Sequence, residues 1–407
     1  MRGGPHYSLT IPVKDRTHQQ ALTWYNRSLS KLRTSVERGT ANNVVALISC
    51  ILYICIELLQ DNVTEVLQLY HRGVGIISNC NAPLLEECIA PLFYHFSAIA
   101  MVTDYISPEN AIKPVSKAPD HFSNLEEAEV VLYRFLAKIM TQIRASAQVL
   151  LAGGHIEEHR IAELEARNNV LRNVLDQWMW SFQALGITLE GDASYAEKFT
   201  IAKLLLAHAT LRVALVTSTS RSAMVNDDLI DDFEDILYYA RYGIMATRYA
   251  DGTQPPFSLE TSFALSLYIC ATQCRDYRIR HEALDLLPEV PKVQGLCKSV
   301  PHVLMATKVV RIEEAGLELQ DRGDGTGLGM FVPESHRICN VAFASTKNEN
   351  GEHVWVLKYN RSLPDGAGGY RIVEELSPFD SSDDWLIQRS TLAESQRTSR
   401  TLAFNLN

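Results

Sequence analysis

The sequence predicts an all-α fold, a multi-helical array, that ends in a small C-terminal antiparallel β-meander. Across residues 18–319 the apolar residues recur at steps of three and four, the spacing that lines one buried face of a helix. After Gly323 they alternate with period two, the spacing of a strand with one buried face. Asn350-Gly351 lies between two alternating segments and is a strong signal for a hairpin turn.

Clusters of Gly, Pro and Asp divide the helical region into eleven predicted helices. These cover residues 18–36, 44–59, a third stretch up to about 77, then 84–102, 125–151, 156–185, 195–216, 227–248, 259–274, 279–287 and 300–319. The second helix is apolar on nearly all sides and is therefore predicted to be central. Its 16 residues fall short of the about 20 that a membrane span needs.

The same Gly, Pro and Asp clusters, together with the change of period, also mark the boundaries of the predicted domains. We expect an N-terminal tail at 1–17, a helical domain at 18–320 with an internal loop at 107–120, a glycine-rich connector and β-meander at 321–380, and a disordered tail at 381–407. The meander is predicted to have strands at 337–344, 353–359 and 370–374. After the internal loop, Ser123 and Glu126 form a capping-box pattern that predicts the start of the next helix.

The net charge and the spacing of the cysteines limit which classes of function the sequence supports. The chain carries 38 Lys and Arg against 48 Asp and Glu, a formal net charge of −10, whereas binding to nucleic acid draws on clustered basic residues. None of the eight cysteines forms a Cys-x-x-Cys pair, so neither a disulfide framework nor a structural zinc site is predicted. We expect an intracellular protein with no membrane partner and no cofactor, and we assign no catalytic, cofactor-binding or metal-binding residue.

One motif supports an alternative function as a helical metal-dependent hydrolase. His155-x-x-Glu158-His159 matches a zinc-peptidase signature, in which two histidines hold the metal and a carboxylate activates water. Glu234 is far enough downstream to supply a further carboxylate. The favoured interpretation is a polar helix start, because the next turn, residues 160–165, lacks the apolar shell that surrounds such sites.

Two further segments have a functional and a structural interpretation. The glycine-rich run 321–329 looks like the glycine boxes of nucleotide-binding proteins, but a flexible connector between helix and strand is favoured. The acidic run 227–235 contains Leu229, Ile230 and Phe233, as activation segments do. An amphipathic helix with its acidic residues near the positive amino end is the favoured interpretation there.

The segment 271–284, with Cys274-Arg275-Asp276 at its centre, resembles the C-terminal signature of the fungal-specific transcription factor homology region, found in fungal transcription factors with a binuclear zinc cluster of the Zn(2)-C6 type. Gly295-Leu296-Cys297 and Ile312-Glu313-Glu314 are similar to the segments that follow in that family. The segments at 47–60, 71–73, 122–128 and 233–240 also resemble the family's earlier helices, so the likeness covers roughly residues 18–375.

The resemblance implies a transcriptional regulator in a fungal nucleus, of a kind that often controls secondary-metabolite gene clusters, and not an enzyme. It implies contacts with the transcription machinery or other regulators, effector sensing, and homodimer formation as an option. Tyr277 and Cys297 depart from the family's usual proline and tryptophan. The six-cysteine cluster is missing, so we expect DNA to be contacted only indirectly or through a zinc cluster lost in a truncated gene model.

The residues of the Cys-Arg-Asp segment are themselves predicted to be structural. Asp276 precedes a helix and is placed to cap it. Arg275, Arg278 and Arg280 are placed to bond the carbonyl groups at the end of the preceding helix.

Overall fold

The computed structural model confirms the mostly helical class with a small antiparallel sheet near the C-terminus. It describes residues 15–38, 42–60, 62–78, 89–102, 117–151, 158–189, 191–220, 222–258, 263–321, 328–347, 353–364, 366, 370–379 and 403–404. The chain divides into two compact units, Met1–Phe93 and Tyr94–Asn407.

Within the described residues there are eleven α-helices. They are α1 (Arg16–Glu37), α2 (Asn43–Leu59), α3 (Val63–Ser78), α4 (Ala90–Val102), α5 (Leu125–Leu151), α6 (Glu158–Gln183), α7 (Tyr195–Thr217), α8 (Ile230–Thr247), α9 (Phe263–Gln273), α10 (Tyr277–Leu286) and α11 (Ser299–Glu314). Most of the predicted boundaries agree to within three residues. The larger differences are at the starts of α4 and α9, where the preceding residues lie outside the described ranges, and at the end of α11.

Two helix starts differ from their predictions, one in its capping residue and one in its position. Asn124, not Ser123, caps α5, since its side chain accepts a bond from the Glu127 amide at 2.8 Å. The Glu127 carboxylate in turn accepts from the Ser123 amide at 2.7 Å, so the capping pair is shifted by one residue. Before α8, residues Ala223–Leu229 form a 3-10 turn, and the helix begins at Ile230 rather than at 227.

The first unit contains α1, α2, α3 and the first turn of α4. Helix α2 buries Leu47, Ile54 and Leu58. Its Glu57 carboxylate is buried too and accepts hydrogen bonds from the Tyr25 phenol and, at 2.8 Å, from the Asn62 amide. α2 was predicted to be central because it is apolar on nearly all sides; it supplies core residues on one face, while Val45, Ile48, Leu52 and Leu59 on another face are exposed.

The second unit has two hydrophobic cores with α7 between them. Leu206 and Val213 of α7 pack into a core built from α8, α9, α10, α11 and the C-terminal sheet. Ile201 and Leu215 of the same helix pack into a core built mainly from α5 and α6. By length and composition α7 could cross a membrane, but 67% of its apolar window is buried inside the protein, as in the core helix of a globular domain.

The C-terminal sheet contains the predicted meander. Strands β6 (Asn340–Lys347), β7 (His353–Pro364) and β8 (Tyr370–Pro378) are antiparallel, with β7 in the middle. β7 and β8 run beyond their predicted ends, because residues 360–364 of β7 pair with 370–374 of β8, and residues 375–378 of β8 pair with 356–359 of β7. Within the predicted tail, Ala403–Phe404 (β9) pairs with β6; the rest of 381–407 lies outside the described residues.

Several two-residue strands were not predicted, because two residues are too few to show an alternating pattern. Their sheets join β1 (Phe257–Ser258), β2 (Val293–Gln294) and β3 (Cys297–Lys298), and separately β4 (Gln320–Asp321) and β5 (Leu328–Gly329). The turn from β2 to β3 contains Gly295 with φ of 53°, a left-handed conformation that favours glycine.

Candidate functional site

The corner between α9 and α10 is built as the Cys-Arg-Asp segment predicts. Asp276 has extended backbone angles and ends the corner, and its side chain accepts a bond from the Ile279 amide at 3.0 Å. This is the geometry of an N-terminal cap, which satisfies one of the helix's unbonded amide groups. The predicted capping role of Asp276 is therefore confirmed.

Two of the three arginines bond the last carbonyl groups of α9, as predicted. Arg280 donates through Nε to the carbonyl of Ala271 at 3.0 Å, and Arg275 donates to the carbonyl of Gln273. Both guanidinium groups are buried, unlike that of Arg278, which is exposed and pairs with Glu234 of α8. The prediction is confirmed for Arg275 and Arg280, while Arg278 forms a surface ion pair instead.

The two buried arginines both pair with one carboxylate, which lies on α11. Glu313 of α11 is fully buried and pairs with Arg275 at 2.7 Å and with Arg280. We call Arg275, Arg280 and Glu313 the ionic junction. The Glu313 carboxylate also accepts the Ile338 amide at 2.6 Å, and Arg275 donates to the Ile338 carbonyl at 3.0 Å. The junction thus joins α9, α10, α11 and the segment that leads into β6.

The charges of the junction depend on one another. Burial raises the pKa of the Glu313 carboxyl, but the charges of Arg275 and Arg280 outweigh burial, so the pKa lies below its ordinary value. The carboxylate therefore stays ionised at neutral pH. Glu314, next along α11, accepts from Arg280 at 3.5 Å and pairs with His281 at 3.1 Å. Removing one member would leave an unpaired charge in the interior, which is costly.

A third buried arginine connects the segment that leads into β6 to the acidic run. Arg337 forms a two-point ion pair with Asp227, at 2.7 and 2.8 Å, and donates to the carbonyl of Val332 at 2.9 Å. Nearby, Glu334 accepts a hydrogen bond from Ser222. In the same run Asp232 pairs with Arg212 at 3.0 Å. Acidic side chains of this run are thus used in contacts within the chain.

A small cavity lies beside the ionic junction. Its volume of about 20 Å³ is room for about one water molecule, whereas sites for small organic ligands are commonly about 300–1,000 Å³. The cavity is lined by Tyr268, Thr272, Gln273, Val309, Ile338, Cys339, Asn340 and Val341. It is thus too small for an organic effector.

The residues of the alternative metal site are not seen together. His155 lies outside the described residues; Glu158 begins α6; and His159, one residue later, is exposed. Glu234, the candidate further carboxylate, pairs with Arg278. In the part of the chain that the structure describes, no group of three or more His, Cys, Asp or Glu side chains could hold a metal ion. Of the glycine-rich run, residues 322–327 lie outside the description.

Sequence reasoning missed a buried charged cluster in the second unit. Lys203 of α7 is buried and pairs with Glu129 of α5 at 2.8 Å, and His95 of α4 lies 3.6 Å from the same carboxylate. Burial raises the pKa of Glu129, but the hydrogen bonds and charges of His95 and Lys203 lower it to about 2. The signal in the sequence was Lys203 itself, a lone charge within an apolar helix segment.

No family model, no curated protein and no solved structure matches the chain. The resemblance to the fungal homology region therefore rests on the quoted sequence segments alone.

Proposed function

We propose that this chain is the helical regulatory domain of a fungal transcriptional regulator that acts in the nucleus through protein contacts or effector sensing rather than catalysis. The observation that carries the proposal is the ionic junction. Arg275 and Arg280 belong to one segment of the family resemblance and Glu313 to another, more than thirty residues away, and the three side chains meet in the interior. Because the charged residues of this motif are buried and paired with one another, we propose that the motif holds the helices of the domain together.

The proposed partners are the transcription machinery or other regulators, with secondary-metabolite cluster genes as the proposed targets. Direct recognition of DNA by this chain is not proposed, because its net charge is −10 and the resemblance places DNA contact in a zinc cluster that the chain lacks. The cavity beside the junction is too small for an organic effector, so an effector would bind elsewhere on the chain.

Complementation of a gene deletion tests this proposal against the hydrolase alternative. The deletion strain receives either the wild-type chain or the double variant His155→Ala/His159→Ala, each fused to a fluorescent protein. We expect nuclear accumulation and an altered transcript profile in the deletion strain, restored equally by both chains. Loss of complementation in the double variant, together with one zinc ion per wild-type chain by elemental analysis, would overturn the proposal in favour of metal-dependent chemistry.

A further inference from the structure

The exposed side of α8 carries aromatic and apolar side chains. Tyr238 and Met245 are exposed by 50% and 63%, and Tyr242 between them is partly buried. Their spacing of four and three residues places them on one face of the helix. Tyr195, which is 64% exposed, lies against the same helix, because its phenol donates to the carbonyl of Ala246 at 2.9 Å. Single exposed hydrophobic residues are normal, whereas a group of them on one face marks a binding surface.

The same face continues into an acidic end. Asp231 and Asp235 precede Tyr238 by seven and three residues, so they share its side of the helix, and both are exposed. In the part of the chain that the structure describes, neither carboxylate forms an ion pair. Partial burial and the neighbouring carboxylates raise the pKa of the Asp235 carboxyl, against the lowering effect of Arg212. We call the following residues the α8 face: Asp231, Asp235, Tyr238, Tyr242 and Met245.

Four arginines that lie on α8, at its end or against it are each paired with an acidic residue of the chain. The pairs are Arg212–Asp232, Arg241–Glu282, Arg248–Glu289 and Arg278–Glu234. Helix α8 itself carries four acidic residues, one arginine and no lysine. The α8 face is therefore negative at one end and aromatic at the other, and a partner that is complementary to both ends is basic.

We infer that the α8 face binds an arginine-rich segment of a partner protein. The planar guanidinium group of arginine stacks on tyrosine rings and also binds a carboxylate through two parallel hydrogen bonds. The lysine ammonium is a compact, strongly hydrated charge and makes neither contact as well. From Asp231 to Met245 the face is about 21 Å long, the length of about seven extended residues. The inference does not depend on a role of the chain in transcription.

Fluorescence anisotropy with the full chain tests the inference. The probes are three labelled peptides of about eight residues, long enough to span the face, in which arginine, lysine or glutamine alternates with serine. We expect the arginine peptide to bind saturably and to bind more weakly as salt is added. The lysine peptide should bind at least about three-fold more weakly than the arginine peptide, and the glutamine peptide should not bind.

Single substitutions locate the binding on the α8 face. Tyr238→Ala should weaken binding of the arginine peptide by about two- to five-fold, the effect of losing one cation–π contact. Tyr238→Phe keeps the ring and should bind as the wild type does. Asp235→Asn should weaken binding and reduce its dependence on salt. Trp180→Ala and Glu163→Gln are the matched controls, because both residues are exposed on α6 outside the face, and both variants should bind like the wild type.

Each other outcome would overturn the inference. One is a wild type that shows no saturable binding of the arginine peptide. Another is equal binding of the arginine and lysine peptides that no substitution in the face changes, which would mean diffuse attraction to an acidic chain. A glutamine peptide that binds as tightly as the arginine peptide would mean that the partner is not basic. A dimer in sedimentation velocity that Tyr238→Ala dissociates would make a second copy the occupant. Circular dichroism verifies that each variant is folded.

Discussion

At the scale of single residues, the ionic junction shows how much one buried carboxylate can organise. Glu313 is bonded by two arginines and by a backbone amide from a segment twenty-five residues further along the chain. None of these partners lies on α11 itself, so each bond fixes α11 against another part of the fold. The carboxylate is fully buried, so bulk solvent does not replace a lost partner, and removing one member of the junction is therefore costly.

Replacing Glu313 by glutamine tests this contribution. The substitution keeps the shape of the side chain but leaves Arg275 without its counter-charge and Arg280 with only the longer contact to Glu314 at 3.5 Å. We expect the free energy of unfolding, measured with urea, to fall by about 3–5 kcal/mol. The matched control is Glu163→Gln, which removes an exposed ion pair with Arg167 on α6 and should change stability by less than about 1 kcal/mol. A loss below about 1 kcal/mol for Glu313→Gln would show that the junction is not a stability element.

A buried histidine gives the chain a specific dependence on pH. His208 of α7 stacks on Trp178 with a ring separation of 5.7 Å. Burial and, less strongly, the charge of Arg212 lower its pKa from 6.5 to about 4, against a backbone hydrogen bond at Leu175 that raises it. The folded chain therefore keeps this imidazole neutral in the pH range where the unfolded chain protonates it.

The sign of the effect follows from proton binding. Between pH 6.5 and about 4 the unfolded state binds a proton at this site and the folded state does not, so acidification through this window destabilises the fold. We expect the contribution of this site to fall by about 3 kcal/mol between pH 7 and pH 4. In His208→Asn, whose amide can still donate to the backbone, the loss between those pH values should be smaller by that amount. Urea unfolding curves of both chains at pH 7, 5.5 and 4 test this prediction, and an identical pH dependence in both chains would rule out this role.

Some of this residue-scale detail could be predicted from the sequence and some could not. The capping role of Asp276 was predictable, because a cap is a local contact and its sequence pattern is local. The carboxylate that neutralises Arg275 and Arg280 was not predictable. Glu313 lies on α11, thirty-three residues or more along the chain from either arginine, and any acidic residue of the last helices could have met them. Lys203 shows the intermediate case: a charge within an apolar run signals a buried partner but does not say which one.

At the scale of elements, two glycines of α3 have opposite surroundings. A side chain on Gly73 would overlap the ring of Phe93, whereas a side chain on Gly75 would meet no atom within 4 Å. Gly73 and Phe93 are both buried, and the Phe93 ring lies 6.2 Å from the ring of Tyr70, so moving it would disturb its buried neighbours. The helix therefore needs glycine at one position for close packing and does not need it at the other.

Alanine at each position separates the packing effect from helix propensity. Alanine favours a helix over glycine by about 1 kcal/mol, so Gly75→Ala should raise stability by roughly that amount. Gly73→Ala gains the same propensity but must displace the Phe93 ring, and we expect a net loss of about 1–3 kcal/mol by denaturant unfolding. Equal gains in both variants would contradict the close packing of α3 against Phe93.

The elements themselves were largely predictable, and the exceptions have physical causes. Long helices repeat their pattern over many turns, and α5 begins and ends where the sequence predicted. The exposed apolar face of α2 was not predictable, because an apolar residue looks the same in a sequence whether it faces a core or solvent. The short strands at Phe257, Val293 and Cys297 carry two residues each and leave no periodic signal.

At the scale of the whole molecule, the chain combines an acidic net charge with ion pairs in its interior. Charged groups that are buried, such as the ionic junction and Lys203, are paired within the fold and are engaged in holding it together. The helical class and the C-terminal meander were predictable from periodicity alone. A surface for a partner was not predictable, since periodicity indicates which residues are buried and carries no information about what binds the exposed residues.

The central claim, that this chain acts on transcription without catalysis, is tested most directly by tethering. The full chain is fused to a heterologous DNA-binding domain and placed at a reporter promoter in a fungal host, with the DNA-binding domain alone as the control. We predict that the fusion raises or lowers the reporter transcript several-fold, and that His155→Ala/His159→Ala does so equally. A folded, nuclear fusion that leaves the reporter transcript at the level of the control would contradict the claim.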